Sequence, residues 1–261
     1  MQFKKQPKLT LVGAGPGDID LITVKGVKAL AEANVVLYDA LINPQLLEYA
    51  PKRAIKKFVG KRKGYKRYSQ EEINQLIVDY AFNEGHVVRL KGGDPFIFGR
   101  GSEEIDYVNS FGIQCDVVPG ISSSISVPAV QGISLTKRGV SESFWVITGT
   151  TSARKLSKDV ELAAQSTATI AILMGMSKLP EIVKLFQQFN RGEEAVAIIQ
   201  NGTLPNEKVG IGTVDTILEE VNNKELSNPA IIVIGEVVKH SHKLKSFYNE
   251  VIVNAKAHGK K

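Results

Sequence analysis

The chain has 261 residues, 43% of them hydrophobic, and a formal net charge of +6. That length and apolar content supply two modest cores or one large one, so a self-standing globular protein is expected. The single cysteine, Cys115, rules out an internal disulfide, offers no metal-ligand spacing and reads as a small core residue.

The excess positive charge points to an anionic partner, and it is densest over residues 52–67. That stretch lacks the interleaved stacking aromatics of a nucleic-acid surface, so a small anion is expected and no nucleic acid. The longest apolar runs, residues 168–176 and 230–234, are too short for a bilayer span. Residues 1–8 carry lysines without an apolar stretch and cleavage site, so a cytoplasmic protein is expected, with no membrane association.

In chain order, residues 9–12, 35–38, 87–90 and 114–118 are short β-branched or apolar runs separated by stretches of helical period. This is the pattern of a parallel sheet with crossover helices. Between them, Ser69 and Glu72 form a capping box for a helix over residues 69–83, with Ile73, Leu76, Ile77 and Tyr80 on one face and Gly85 at its end. The pattern stops over residues 132–143, where the domain boundary is expected. A second series follows: strands at 144–148, 169–174, 195–200, 209–213 and 230–234, with helices at 179–189 and 214–221. The expected architecture is therefore α/β: an N-terminal domain over 1–135, a C-terminal domain over 143–245, a basic tail over 246–261, and an active site in the cleft between the domains.

Three strand ends carry glycine turns. The first is Gly13-Ala14-Gly15-Pro16-Gly17-Asp18, in which Asp18 stands where a dinucleotide fingerprint needs its third glycine and Pro16 interrupts the turn. The others are Lys91-Gly92-Gly93-Asp94-Pro95 and Pro119-Gly120-Ile121-Ser122-Ser123-Ser124. Glycines with Asp and Ser, and no cluster of phosphate-binding cations, suit a neutral or zwitterionic nucleoside better than a polyphosphate. Taken singly, each could equally be an ordinary strand-to-helix turn.

These motifs, together with Val36-Leu37-Tyr38-Asp39, Val59-Gly60-Lys61-Arg62, Phe98-Gly99-Arg100-Gly101, Met174-Gly175, Gln200-Asn201-Gly202-Thr203 and Asn228-Pro229-Ala230, occur in an order that resembles the tetrapyrrole methyltransferase family over nearly the whole chain. The resemblance implies methyl transfer from S-adenosylmethionine to ring carbons of a polyanionic tetrapyrrole, by a homodimer and without a metal. The Val-Gly-Lys-Arg and Gly-Gly-Asp-Pro-Phe blocks favour uroporphyrinogen III as substrate and precorrin-2 as product, on the way to sirohaem or cobalamin. Carried over residue by residue, the donor site comprises Pro16, Gly92, Gly93, Asp94, Ile97, Ser122, Ser123, Met174, Gly202 and Ala230. Asp39 is implied as proton acceptor and Lys61 as proton donor, and Arg100, Glu103 and Arg138 as substrate contacts.

On the residues alone, Asp39 is equally a loop-initiating aspartate, Lys61 one solvated lysine of several, and Met174 a core residue. Arg100 is equally half of a surface ion pair with Glu103 or Glu104. His240 and His242 lack partners for a metal. Ala40, Lys137 and Gly139 depart from the family's pattern where substrate would bind, and no stretch is long enough for the dehydrogenase and ferrochelatase module of fused relatives. The competing readings are a later precorrin methyltransferase and a nucleoside-binding protein without turnover.

Overall fold

The computed structural model describes residues 6–60 and 68–244. They divide into two compact units, the first ending at Ser122 and the second beginning at Ser123.

The first unit holds five parallel strands, β1 (Lys8–Gly13), β2 (Val35–Tyr38), β3 (Ile55–Phe58), β4 (His86–Lys91) and β5 (Gln114–Val118), in the order β3-β2-β4-β1-β5. Helices α1 (Val24–Ala31), α2 (Gln70–Glu84) and α3 (Gly101–Asn109) make the crossovers. Because side chains alternate along a strand, the sheet has two buried faces. Leu9, Leu11, Val35, Leu37 and Val87 pack with Ile73, Ile77 and Val108 from α2 and α3 on one face. Val12, Val36, Val88 and Leu90 pack with Leu30 of α1 and with Leu46 on the other. Each fully buried Leu or Ile contributes about 1.5–3 kcal/mol, so these faces dominate the unit's stability.

Helix α2 begins at the expected capping box: the Glu72 amide donates to Ser69 Oγ at 3.1 Å, and Glu72 Oε2 accepts from the Ser69 amide at 2.7 Å. Gly85 ends the helix with φ of 99°, a value that glycine adopts at little cost. Cys115 is half-buried and packs against the face beneath α2 and α3. Strand β3 falls within the basic stretch and has the sequence Ile-Lys-Lys-Phe. It lies at the sheet edge, where lysines discourage pairing with another chain.

The second unit starts with α4 (Ser123–Val130) and holds β6 (Phe144–Thr148), β7 (Thr169–Leu173), β8 (Ala195–Gln200), β9 (Lys208–Thr213) and β10 (Ala230–Ile234) in the order β6-β7-β10-β8-β9. Only β6 and β7 run parallel; the other neighbours are antiparallel. Helices α5 (Asp159–Gln165), α6 (Leu179–Gln188) and α7 (Ile217–Asn223) complete it, with Ile182, Phe186 and Ile217 packed against Ile170, Ile172, Ile198 and Ile232.

The division after Ser122 lies ahead of the stretch 132–143 at which the sequence pattern stops. Val127 of α4 and the following Ile133 are buried among Ala195, Ala197, Ile199, Ile231 and Val233, so the segment belongs with the second sheet. Strand β7 stops at Leu173, one residue short of expectation, because Met174 turns to a φ of 55°. The tail over 246–261 lies outside the described residues. Among the described residues, no helix is long and apolar enough to cross a membrane.

Candidate functional site

In the first unit the candidate residues gather at the carboxyl ends of β1, β2, β4 and β5. The first two glycine turns are locked to each other through main chain. The Gly15 amide donates to the Gly93 carbonyl at 3.2 Å, the Gly93 amide returns a bond to the Gly15 carbonyl at 2.7 Å, and the Ala14 amide reaches the Lys91 carbonyl at 2.8 Å. A Cβ on Gly13 would run into the Gly120 backbone, and one on Gly120 into Gly93 and Gly13, so side chains are excluded at this junction.

Asp94 ties two of the turns together. Its Oδ2 accepts from the Gly120 amide at 3.0 Å and its Oδ1 from the Phe96 amide at 2.8 Å. Gly92, Gly93 and Pro16 are half-buried beside it, Ser122 is buried, and Ser123 is half-buried at the start of α4. Ile97 is exposed together with Phe96 and Phe98, and Phe98 and Arg100 both hold left-handed backbone around Gly99, with φ of 55° and 60°. Non-glycine residues seldom adopt such φ values, and they concentrate where a loop is shaped for a ligand.

Asp39 follows β2, and its amide continues the ladder to the Leu90 carbonyl at 3.2 Å. Its Oδ1 accepts from Arg89 Nη2 at 2.6 Å, and Lys91 Nζ stands 3.9 Å from its Oδ2. Residues 89 and 91 share a face of β4, as the strand period requires. Both are buried there, opposite α3, whose Glu104 is buried completely. Glu104 Oε1 accepts from Arg89 Nε at 3.2 Å, Lys91 Nζ at 2.9 Å and Gln70 Nε2 at 3.2 Å. Arg89 Nη1 donates to the Leu37 and Leu90 carbonyls, at 3.4 Å each. Burial alone would loosen the Arg89 proton, but Asp39 and then Glu104 outweigh it and hold the guanidinium above its usual range. Burial, followed by the neighbouring Arg89 charge, pushes the Lys91 ammonium below its usual range.

Arg100 pairs with Glu103, Nε to Oε1 at 2.9 Å, on the exposed start of α3, while Glu104 turns inward. Lys61 lies outside the described residues. Its predecessor Gly60 packs so closely on the Asp39-Ala40 backbone that a Cβ would collide with it.

In the second unit, Met174, Gly202 and Ala230 meet at one edge of the sheet. Met174 follows the carboxyl end of β7, Gly202 lies two residues past the end of β8, and Ala230 opens β10 between them, paired with Gln200. Met174 and Asn201 are left-handed, with φ of 55° and 51°, as is Thr203 at 70°. Thr150 Oγ1 donates to the Met174 carbonyl at 2.8 Å, and the Asn201 amide to the Pro229 carbonyl at 3.0 Å. Met174 is half exposed, which corrects the alternative of core packing.

Arg138 is not part of this group. It sits exposed in the turn that pairs Lys137 with Ser141, and Ser141 is tied to Thr169 at the opposite end of β7 from Met174. A cavity of about 340 Å³ lies at that opposite end, lined in part by Ser141, Thr169, Arg191 and Glu194. Arg191 there is committed to closing α5, donating to the Ser166 carbonyl at 2.6 Å, and to Glu194 at 3.0 Å.

Sequence reasoning singled out neither Arg89 and Lys91 nor Glu104 as site residues. The available signal was a charge at Arg89 inside the apolar run Val87-Val88-Arg89-Leu90, since a central strand tolerates a buried cation only when anions meet it.

A family model described as tetrapyrrole (corrin/porphyrin) methylases matches residues 8–218. The chain is 50% identical to a uroporphyrinogen-III C-methyltransferase of Methanocaldococcus jannaschii over 88% of this chain and 96% of that protein. It is 41% identical to a siroheme synthase of Actinobacillus succinogenes over 96% of this chain but only 52% of that longer protein. Among solved structures, a uroporphyrin-III C-methyl transferase of Thermus thermophilus complexed with S-adenyl homocysteine superposes with a TM-score of 0.76. It is 35% identical, with 89% of this chain and 99% of that one covered.

Proposed function

The chain belongs to the tetrapyrrole methylase family, and we propose that it transfers methyl groups from S-adenosylmethionine to two pyrrole carbons of uroporphyrinogen III, giving precorrin-2. The observation that carries this reading is Asp39, a half-buried carboxylate fixed by Arg89 at 2.6 Å beside the interlocked glycine turns. The relatives named for this reaction, and the neighbour holding the demethylated donor, support it.

The residues present fit such a donor. Gly92 and Gly93 offer backbone without side chains, while among the described residues the nearby cations Arg89 and Lys91 are already committed to Asp39 and Glu104 and form no cradle for a polyphosphate. Pro16, Gly92, Gly93, Asp94, Ile97, Ser122, Ser123, Met174, Gly202 and Ala230 are the residues assigned to the donor. When bound, the donor supplies an electrophilic methyl group on a sulfonium.

The protein's own part is alignment and proton removal. Positioning two reactants in line replaces a large entropic cost. Once a ring carbon is methylated the macrocycle must lose a proton, and Asp39 is the acceptor, with Lys61 as the proton donor. Arg100, Glu103 and Arg138 are assigned to the substrate, the arginines meeting its carboxylates. A homodimer working in the cytoplasm belongs to the same proposal, on the family's pattern alone.

The test is incubation with uroporphyrinogen III and donor, followed by mass spectrometry. A product two methyl groups heavier is expected; recovery of unmethylated substrate only overturns the reading, and methylation of a later precorrin in its place corrects the substrate.

A further inference from the structure

Four ionisable side chains meet under the carboxyl end of β4, and only one of them, Asp39, has more than a trace of solvent access. A buried ion costs several kcal/mol unless it is paired and hydrogen-bonded, so a cluster of two cations and two carboxylates needs every member. Its hub is Glu104. One oxygen, Oε1, takes Arg89, Lys91 and Gln70, while the other, Oε2, is buried without a hydrogen-bond partner among the described residues. From that hub both cations turn toward Asp39, Arg89 onto Oδ1 and Lys91 toward Oδ2.

We infer that Lys91 and Glu104 are positioning residues for the proton step: Glu104 clamps Lys91 and Arg89 in place, and Lys91 sets the charge on the Asp39 oxygen that receives the proton. This rests on the reading of Asp39 as proton acceptor. Before the step the cluster holds two positive and two negative charges. The C–H bond of the methylated macrocycle breaks, its electron pair returns to the ring, and an O–H bond forms at Asp39 Oδ2. The cluster is then left one charge positive in a buried site. That imbalance expels the proton to solvent through the exposed side of Asp39 and resets the carboxylate.

Among the described residues, the charged groups beside Asp39 are Arg89 and Lys91 from β4, backed by Glu104 from α3, while α2 contributes the uncharged Gln70 and Asn74 behind them. Arg100 and Glu103 act on the cluster at longer range. Opposite substitutions must therefore move Asp39 in opposite directions. Lys91→Met removes a cation and Glu104→Gln an anion, so the Asp39 signal should titrate higher in the first variant and lower in the second. Lys91→Arg keeps the charge and leaves the midpoint near its starting value.

The experiment is carbon-13 NMR of full-length protein labelled at aspartate carboxyls, titrated with pH, the Asp39 signal being assigned by its loss in Asp39→Asn. Shifts of opposite sign in the two neutralising variants, with Lys91→Arg unmoved, are the expected result. An unmoved Asp39 midpoint in either neutralising variant, or an equal shift in Lys91→Arg, overturns the inference; if one neutralising variant fails to fold, the sign in the other decides. Full methylation by Asp39→Asn is a separate outcome: it removes Asp39 as acceptor, and the proposed role of Lys91 and Glu104 falls with it whatever the titration shows.

Discussion

Asp39 and Arg89 are joined across two neighbouring parallel strands, β2 and β4, by a 2.6 Å ion pair in which the guanidinium is buried and the carboxylate only half so. The cation is thus the fixed partner, and the carboxylate is held at the solvent-facing end of a charged column. Arg89→Met should leave Glu104 short of a counter-charge and cost about 3–5 kcal/mol in urea unfolding. The same substitution should abolish methylation even under conditions where the variant is folded.

The glycine junction makes a second prediction. Gly120→Ala forces a Cβ into the main chain of Gly13 and Gly93, which cannot move aside as a flexible side-chain tip could. A loss of about 1–3 kcal/mol is expected. Calorimetry with S-adenosylhomocysteine should show donor affinity falling at least tenfold, whereas Gly112→Ala, with open space around it but a φ of 73°, should cost stability without changing affinity.

Met174 separates stability from binding. Its left-handed backbone costs about 1–2 kcal/mol in any residue with a Cβ. Met174→Gly removes that strain and offsets it with a more flexible unfolded chain, so thermal stability should hold or rise slightly. Donor affinity should fall, because the half-exposed side chain is assigned to the donor. Unchanged affinity would remove Met174 from the donor site.

The dependence of stability on pH should show His86. Burial, against the opposing Glu32 carbonyl, lowers its proton affinity in the folded state. Nδ1 faces the Glu32 carbonyl at 3.2 Å and Nε2 the Thr10 hydroxyl at 2.8 Å, an arrangement suited to neutral imidazole, with Nδ1 donating and Nε2 accepting. With the folded value below the unfolded one, the unfolded chain binds the proton first. Stability is therefore full above about pH 6.5 and declines as pH falls below it. Denaturant midpoints at pH 7.5 and 5.5 should differ less in His86→Gln than in the parent chain.

The features legible in the sequence were those written locally. Ser69 with Glu72 announced α2, and the glycine turns marked the strand ends at which the candidate residues gather. Strand β3 was hidden because its two lysines, favourable at an edge, read as part of a basic run. The division after Ser122 was not legible because α4 shows no amphipathic stripe, being covered through Val127 and the Ile133 that follows it by strands some seventy to a hundred residues later in the chain. Arg89, Lys91 and Glu104 escaped because their pairing joins a strand to the next helix across the sheet face, a relationship that spacing along the chain does not encode. Arg138 came from family likeness alone, and the second unit's own geometry does not bring it to Met174, Gly202 and Ala230.

Because Gly15 and Gly93 hold each other by peptide groups, and Gly13 and Gly120 pack too closely to admit a Cβ, the junction of the first unit's turns is backbone without side chains to exchange. Amino-acid replacement can retune only its rim, at Leu41, Phe96, Ile97 and Phe98, all of which are exposed. A donor shared by many enzymes and an acceptor particular to each can therefore be served by one scaffold, the common reactant recognised by architecture and the individual one by decoration.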